Sequence, residues 1–167
     1  LVVASRSDAY ALTRAADRGI PSEVVRRKDF EDQAAYEDAL TSLMRENKID
    51  LIVLAGFMSI LSKAFTDRFP QRMINIHPSL IPSFCGKGFY GIHVHEAALR
   101  YGVKVSGATV HFVNEIPDGG QIIRQKAVPV LPGDTPESLQ KRVMEEAEWI
   151  ILPEATEEIA ARLLAEA

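Results

Sequence analysis

Short apolar runs alternate with longer stretches of helical spacing along most of the chain. Residues 1–5 (LVVAS) read as a β-strand. Residues 8–18 carry helical spacing and end at Gly19, a natural helix stop. Residues 23–26 suit a short strand. Residues 32–47 are amphipathic, with Tyr36, Leu40 and Leu43 at i, i+4 and i+7. LIVLA at 51–55 is continuously apolar, the mark of a strand buried on both faces. Ser62 is placed to cap a short helix through Phe69, and residues 73–76 form another strand. A long loop with Pro78, Pro82, Gly86, Gly88 and Gly91 follows, then a helix over 93–101 ended by Gly102. Residues 104–113 and 121–130 are β-rich and joined by a Pro-Asp-Gly-Gly turn. Residues 135–151 read as a helix with Asp134 as its cap and Pro136 in its first turn. Pro153 is expected to divide it from a last helix over 154–167.

This alternation predicts a single domain over 1–167, an α/β layer fold with a mostly parallel sheet and helices on both faces. Ligands in such sheets sit at the carboxyl ends of the strands, so the segments after Ala55, Ile76 and Val113 are where chemistry is expected. The chain has 167 residues, 47% hydrophobic and 25% charged, enough for a proper core and incompatible with wholesale disorder. No apolar run approaches the ~20 residues that span a membrane, so no membrane partner is expected. No signal peptide is visible ahead of Leu1, and a cytoplasmic location is expected. The single cysteine, Cys85, rules out a disulfide scaffold and fits a reducing compartment. With 19 basic and 23 acidic residues the net charge is -4, which argues against a general nucleic-acid binder. An anionic small substrate would need a local positive site.

Three segments carry candidate chemistry. In Asn75-Ile76-His77-Pro78, positions i and i+2 share one face of a strand. Asn75 and His77 would project together, and an amide donor beside an imidazole suits a developing oxyanion. The plainer alternative is a strand-end histidine satisfied by backbone, with Asn75 starting a turn. Asp118, in Ile116-Pro117-Asp118-Gly119-Gly120, either bonds its own turn backbone or faces His77 as charge partner and proton acceptor. Gly86-Lys87-Gly88-Phe89-Tyr90-Gly91 matches the dinucleotide-binding spacing but lacks a strand directly before it, so it reads as a flexible loop beside the site. Cys85 in that loop reads as incidental. His93 and His95, two apart on a helix, are poorly placed as metal ligands, and His111 reads as a satisfied strand histidine. No metal is expected.

Taken together, LAGFMSILS at 54–62, INIHPSLIPSF at 74–84, GATVHFVNEIPDGGQII at 107–123 and VPVLPGDT at 128–135 resemble the glycinamide ribonucleotide transformylase family of purine synthesis. The resemblance covers essentially the whole chain. It implies a Rossmann-like formyltransferase fold, with 10-formyltetrahydrofolate as co-substrate and the primary amine of glycinamide ribonucleotide as acceptor. It places the family's catalytic Asn, His and Asp on Asn75, His77 and Asp118. The amine would attack the formyl carbon directly. Asn75 and a protonated His77 would hold the oxyanion, and Asp118 would keep His77 charged and help remove the amine proton. Folate is implied against Met58, Ser59, Ile60 and Leu61 and against Glu115, Ile116 and Asp118. Ile76, Pro78, Gln33 and Glu148 are implied on the ribonucleotide side. A monomer or homodimer is expected.

Several positions depart from the family pattern. Its first strand and the Gly-Ser-Asn loop that holds the substrate phosphate have no counterpart here, and neither does its terminal β-hairpin. Gln33 and Met144 stand where basic residues are usual, Ser59 replaces an Arg, and Trp149 replaces a His. The loop over 83–91 is longer than in many members, and the span from Arg142 to Pro153 is one residue longer. Two other readings stay open: a formyltetrahydrofolate hydrolase, and a non-catalytic folate-binding paralogue.

Overall fold

The structure, a computed structural model, describes residues 1–166. Leu1–Ile49 forms one compact unit and a second begins at Asp50. In the first unit, β1 (Val2–Ala4) and β2 (Ser22–Val24) pair in parallel, with Val3 opposite Glu23. Helix α1 (Tyr10–Ala16) lies between them in the chain. Helix α2 (Gln33–Glu46) begins at Asp32, whose carboxylate accepts the Ala35 N–H at 2.8 Å. That bond satisfies one of the donors orphaned at a helix start. Tyr36, Leu40 and Met44 form its buried stripe, one residue beyond the Leu43 that the spacing suggested.

The second unit holds β3 (Ile52–Leu54), the short α3 (Lys63–Thr66) capped by Ser62, β4 (Met73–His77) and α4 (Ile92–Tyr101). β5 (Val105–Phe112), β6 (Ile122–Pro129), α5 (Pro136–Val143) and α6 (Trp149–Glu166) follow. The sheet order is β3-β4-β5-β6. β3 and β4 run parallel, whereas β4–β5 and β5–β6 are antiparallel. The architecture is the α/β one that the alternation predicted and the Rossmann-like one that the resemblance implied.

The core gathers on one face of this sheet. Ile74 and Ile76 of β4, Ala108 and Val110 of β5 and Val128 of β6 pack with Ala98, Leu139, Val143, Ala147, Ile151, Ala155 and Ile159 from the helical segments. Side chains alternate across a strand, so Asn75, His77, Thr109 and His111 belong to the opposite face. The apolar core thus places the polar residues of the site by exclusion.

Two expectations about the C-terminal helices are corrected. Thr135, not Asp134, caps α5: its hydroxyl accepts the Ser138 N–H at 3.2 Å, and the Ser138 hydroxyl accepts the Thr135 N–H at 3.0 Å. Asp134 instead takes both guanidinium nitrogens of Arg142, at 2.6 and 2.7 Å, and the Leu131 N–H at 2.8 Å. A bidentate charged pair is the stronger use of that carboxylate. Nor does Pro153 end a helix, because α6 runs through it. Just upstream, Met144–Glu148 forms a π turn. In that turn i→i+5 pairing takes one more residue than an α turn. Pro153 is the fifth residue of α6, directly after that turn.

The Arg142 guanidinium holds the Asp134 carboxyl well below the usual carboxylate range. A depressed folded pKa contributes stability that is complete above about pH 4 and is lost as the pH falls toward the folded value. Asp134→Asn should therefore lower the unfolding free energy by about 1.5–3 kcal/mol at pH 7. Urea titrations at pH 7 and in acid should show that gap closing at the lower pH.

Candidate active site

β4 ends at His77, and the register opposite β5 sets what its side chains meet. Asn75 pairs with His111, and His77 with Thr109. The Asn75 Nδ2 lies 3.2 Å from His111 Nε2. His111 Nδ1 lies 2.8 Å from the Phe112 carbonyl oxygen, which can only accept, so Nδ1 carries a proton, and Nε2 faces both the Asn75 amide and the Asp118 carboxylate. By the same logic, the 2.9 Å contact between His77 Nε2 and the Phe84 carbonyl puts a proton on Nε2. His77 Nδ1 then faces Asp118 Oδ2 at 3.4 Å.

Asp118 is held by a turn that does not need its carboxylate. Gly119 N–H closes the turn on the Ile116 carbonyl at 2.9 Å, and the Asn114 side chain accepts the Ile116 N–H at 3.0 Å. Asp118 itself takes a left-handed φ of 56°. A Cβ at Gly120 would strike the Phe112 carbonyl, and one at Gly119 would come within 2.5 Å of Ile116 Cγ2. Only glycine fits either place. With the turn satisfied elsewhere, the Asp118 carboxylate accepts the Gly86 N–H at 2.8 Å and reaches His111 Nε2 at 3.6 Å. It gathers the β4 end, the β5–β6 connection and the loop before α4 into one cluster.

The electrostatics favour a neutral His77 beside an ionised Asp118. Burial pushes His77 below its usual value and outweighs the Phe84 carbonyl and the Asp118 charge, which favour the cation. Burial raises the Asp118 carboxyl, but His111, the Gly86 N–H and His77 together bring it below the usual carboxylate range. The imidazolium expected at position 77 is thus not the form that burial favours in the resting site. The side chain of His77 is only 5% exposed, and desolvation disfavours its charged form. Its Nε2–H is also committed to Phe84, which leaves the second N–H of Asn75 as a free donor beside it.

These residues line a cavity of about 490 Å³. Ile76 and Pro78 line it, as do Met58, Ser59, Ile60 and Leu61 on one wall and Glu115, Ile116 and Asp118 on another. Met58, Ile60 and Ile116 are 62%, 61% and 59% exposed and give the cavity an apolar rim. The loop over 86–91 forms a further wall, which is what its glycine spacing does here. Glu148 does not line the cavity. It sits half-buried in the π turn, where burial raises its carboxyl pKa. Gln33 belongs to the first unit, where it accepts from Arg27 at 3.0 Å and donates to Glu37 at 2.7 Å. Cys85 donates to the Pro82 carbonyl. Among the described residues, no group of three His, Cys, Asp or Glu is arranged to hold a metal ion.

His111 was missed as a site residue. Its parity with Thr109 was visible, but its place opposite Asn75 depends on the β4–β5 register, which no local pattern reveals. His95 on α4 is also close behind the site, fully buried, with both ring nitrogens unbonded.

An amide donor and an imidazole–carboxylate pair, set at the carboxyl end of parallel strands in a Rossmann-like sheet, define a site suited to acid–base group transfer. Residues 1–156 match the formyl transferase family, and the chain belongs to it. Phosphoribosylglycinamide formyltransferase of Haemophilus influenzae is 41% identical over 152 residues, covering 91% of this chain and 69% of that protein. The trifunctional purine biosynthetic protein adenosine-3 of Drosophila melanogaster is 44% identical over 149 residues, 89% of this chain but only 11% of that protein. The chain likewise spans 15% of the human trifunctional protein. The crystal structure of phosphoribosylglycinamide formyltransferase from Streptococcus pneumoniae superposes with a TM-score of 0.87 at 38% identity, covering 95% of this chain and 85% of that one.

Burial, and then the neighbouring His77, push His95 down to about 4. The folded state refuses a proton that the unfolded chain accepts below about pH 6.5. Stability should therefore fall as the pH drops from 6.5 toward 4, by about 1.4 kcal/mol per unit. Denaturant titrations across that range should show the slope, and His95→Leu should flatten it.

Proposed function

We propose that this chain transfers the formyl group of 10-formyltetrahydrofolate to the primary amine of glycinamide ribonucleotide. The observation that carries the reading is the Asn75–His111 and His77–Asp118 cluster at the floor of a cavity with an apolar rim. The names of the relatives support it. The exposed Met58, Ile60 and Ile116 suit the flat face of a pterin, and the co-substrate supplies the electrophilic formyl carbon.

The roles follow from the charges in the site. The neutral amine attacks the formyl carbon, and negative charge grows on the formyl oxygen. The unused N–H of Asn75 donates to that oxygen, a contribution of roughly 2.7–4 kcal/mol in comparable sites. The amine must lose a proton. The His77–Asp118 pair is one proton short, because Asp118 is ionised and Nδ1 of His77 is bare. A proton received there lies between two groups that both stabilise it. As the bond from the formyl carbon to the folate nitrogen breaks, the proton returns to that nitrogen. No net proton is consumed and no acyl-enzyme forms. The reading includes a cytoplasmic, reducing compartment, which the single free cysteine suits.

Asp118→Asn should lower kcat about 10²–10⁴-fold while leaving folate binding intact. Asn75→Ala should cost about 10²–10³-fold. Both are read by following tetrahydrofolate release with and without the acceptor. Release that does not depend on the acceptor would overturn transfer in favour of hydrolysis. Full activity in Asp118→Asn would overturn the proton relay.

A further inference from the structure

Both proposed co-substrates are anions, one through a phosphate and one through glutamate carboxylates. The charged residues that line the cavity are Glu115, Asp118 and Lys87, so Lys87 is the only lysine or arginine on its walls among the described residues. Without it, an incoming oxyanion would meet two carboxylates and no cation. Lys87 is exposed and takes part in no ion pair or hydrogen bond with the described residues.

The loop that carries Lys87 is tied down on both sides of it. Ahead, the Gly86 N–H binds Asp118 at 2.8 Å, one residue from Lys87. Behind, Phe89 packs on Phe84 with ring centroids 6.2 Å apart, and Tyr90 packs edge-on to His93 at 5.0 Å. Gly86 and Gly88 take left-handed φ values of 85° and 92°, which fold the loop back with Lys87 at its tip. A flexible four-carbon stem on that tip delivers a compact charge while its backbone stays fastened to the catalytic carboxylate.

We propose that Lys87 is an anion-binding position of this cavity and takes an oxyanion, phosphate or carboxylate, from a co-substrate. This rests on the formyl-transfer reading for the identity of the ligands. An exposed charge pair contributes modestly, so the effect is expected in ligand affinity and not in kcat.

The test measures binding to the wild type, Lys87→Ala, Lys87→Glu and Lys87→Arg by direct titration. The ligands are tetrahydrofolate and tetrahydropteroate, which lacks the glutamate, together with glycinamide ribonucleotide and its dephosphorylated form. Lys87→Ala should weaken one charged ligand about fivefold, Lys87→Glu more, and Lys87→Arg should restore it. The counterpart lacking the anion should bind all four proteins equally. A loss confined to tetrahydrofolate identifies the carboxylate, and one confined to the nucleotide identifies the phosphate. Equal affinity of the wild type and Lys87→Glu for every ligand would overturn the proposal. So would an equal loss for charged and uncharged members of a pair. Because binding is read without turnover, a wild type that binds both ligands but transfers nothing would sink the catalytic reading alone.

Discussion

The antiparallel pairing of β4 with β5 is the constraint on which the site depends. It sets Asn75 against His111 and His77 against Thr109 on one face, while Ile74, Ile76, Ala108 and Val110 close the core on the other. A slip of one residue would exchange the two sets, burying the amide and imidazoles in the core and turning isoleucine to the cavity. The burial of those apolar side chains is therefore also what aims the chemistry. Thr109, directly opposite His77, adds to this by donating to the Ser79 carbonyl at 2.7 Å and accepting the Ile81 N–H at 3.1 Å. The chain leaving β4 is fastened to the sheet before it turns back with the Phe84 carbonyl that fixes the His77 proton.

Asp118 links this sheet geometry to charge. Its left-handed backbone and the two glycines after it let the β5–β6 connection double back over the strand ends. The carboxylate then meets two histidines and a backbone N–H at once. The His111 ring and the Gly86 N–H lead in bringing the carboxyl down, against the burial that opposes it. His77 shows the reverse balance, since one carboxylate at 3.4 Å does not repay the loss of water around the ring. At rest, burial favours the neutral ring beside the ionised carboxylate.

Irregular segments are accommodated locally. The π turn before Pro153 leaves Ala147, Ile151 and Ala155 packed in the core. The loop before α4 forms a wall of the cavity, held by ring packing and by Asp118. Both are cases where the hydrophobic contacts set the frame and the backbone between them adjusts.

The order of strands and helices, the hairpin after Val113 and the candidacy of Asn75, His77 and Asp118 were all legible in the sequence. These follow from local spacing: alternation along a strand, 3.6-residue periodicity along a helix, and turn residues that permit few conformations. The cap of α5 and the passage of α6 through Pro153 lie beyond local spacing, because Asp134 finds Arg142 eight positions on and a π turn precedes α6. His111 joined the site only through its cross-strand partner. The charge state of His77 was decided only once burial could be weighed against its neighbours. Spacing along a chain determines which side chains share a face, whereas register, burial and through-space charge arise between distant segments and exist only in the folded protein.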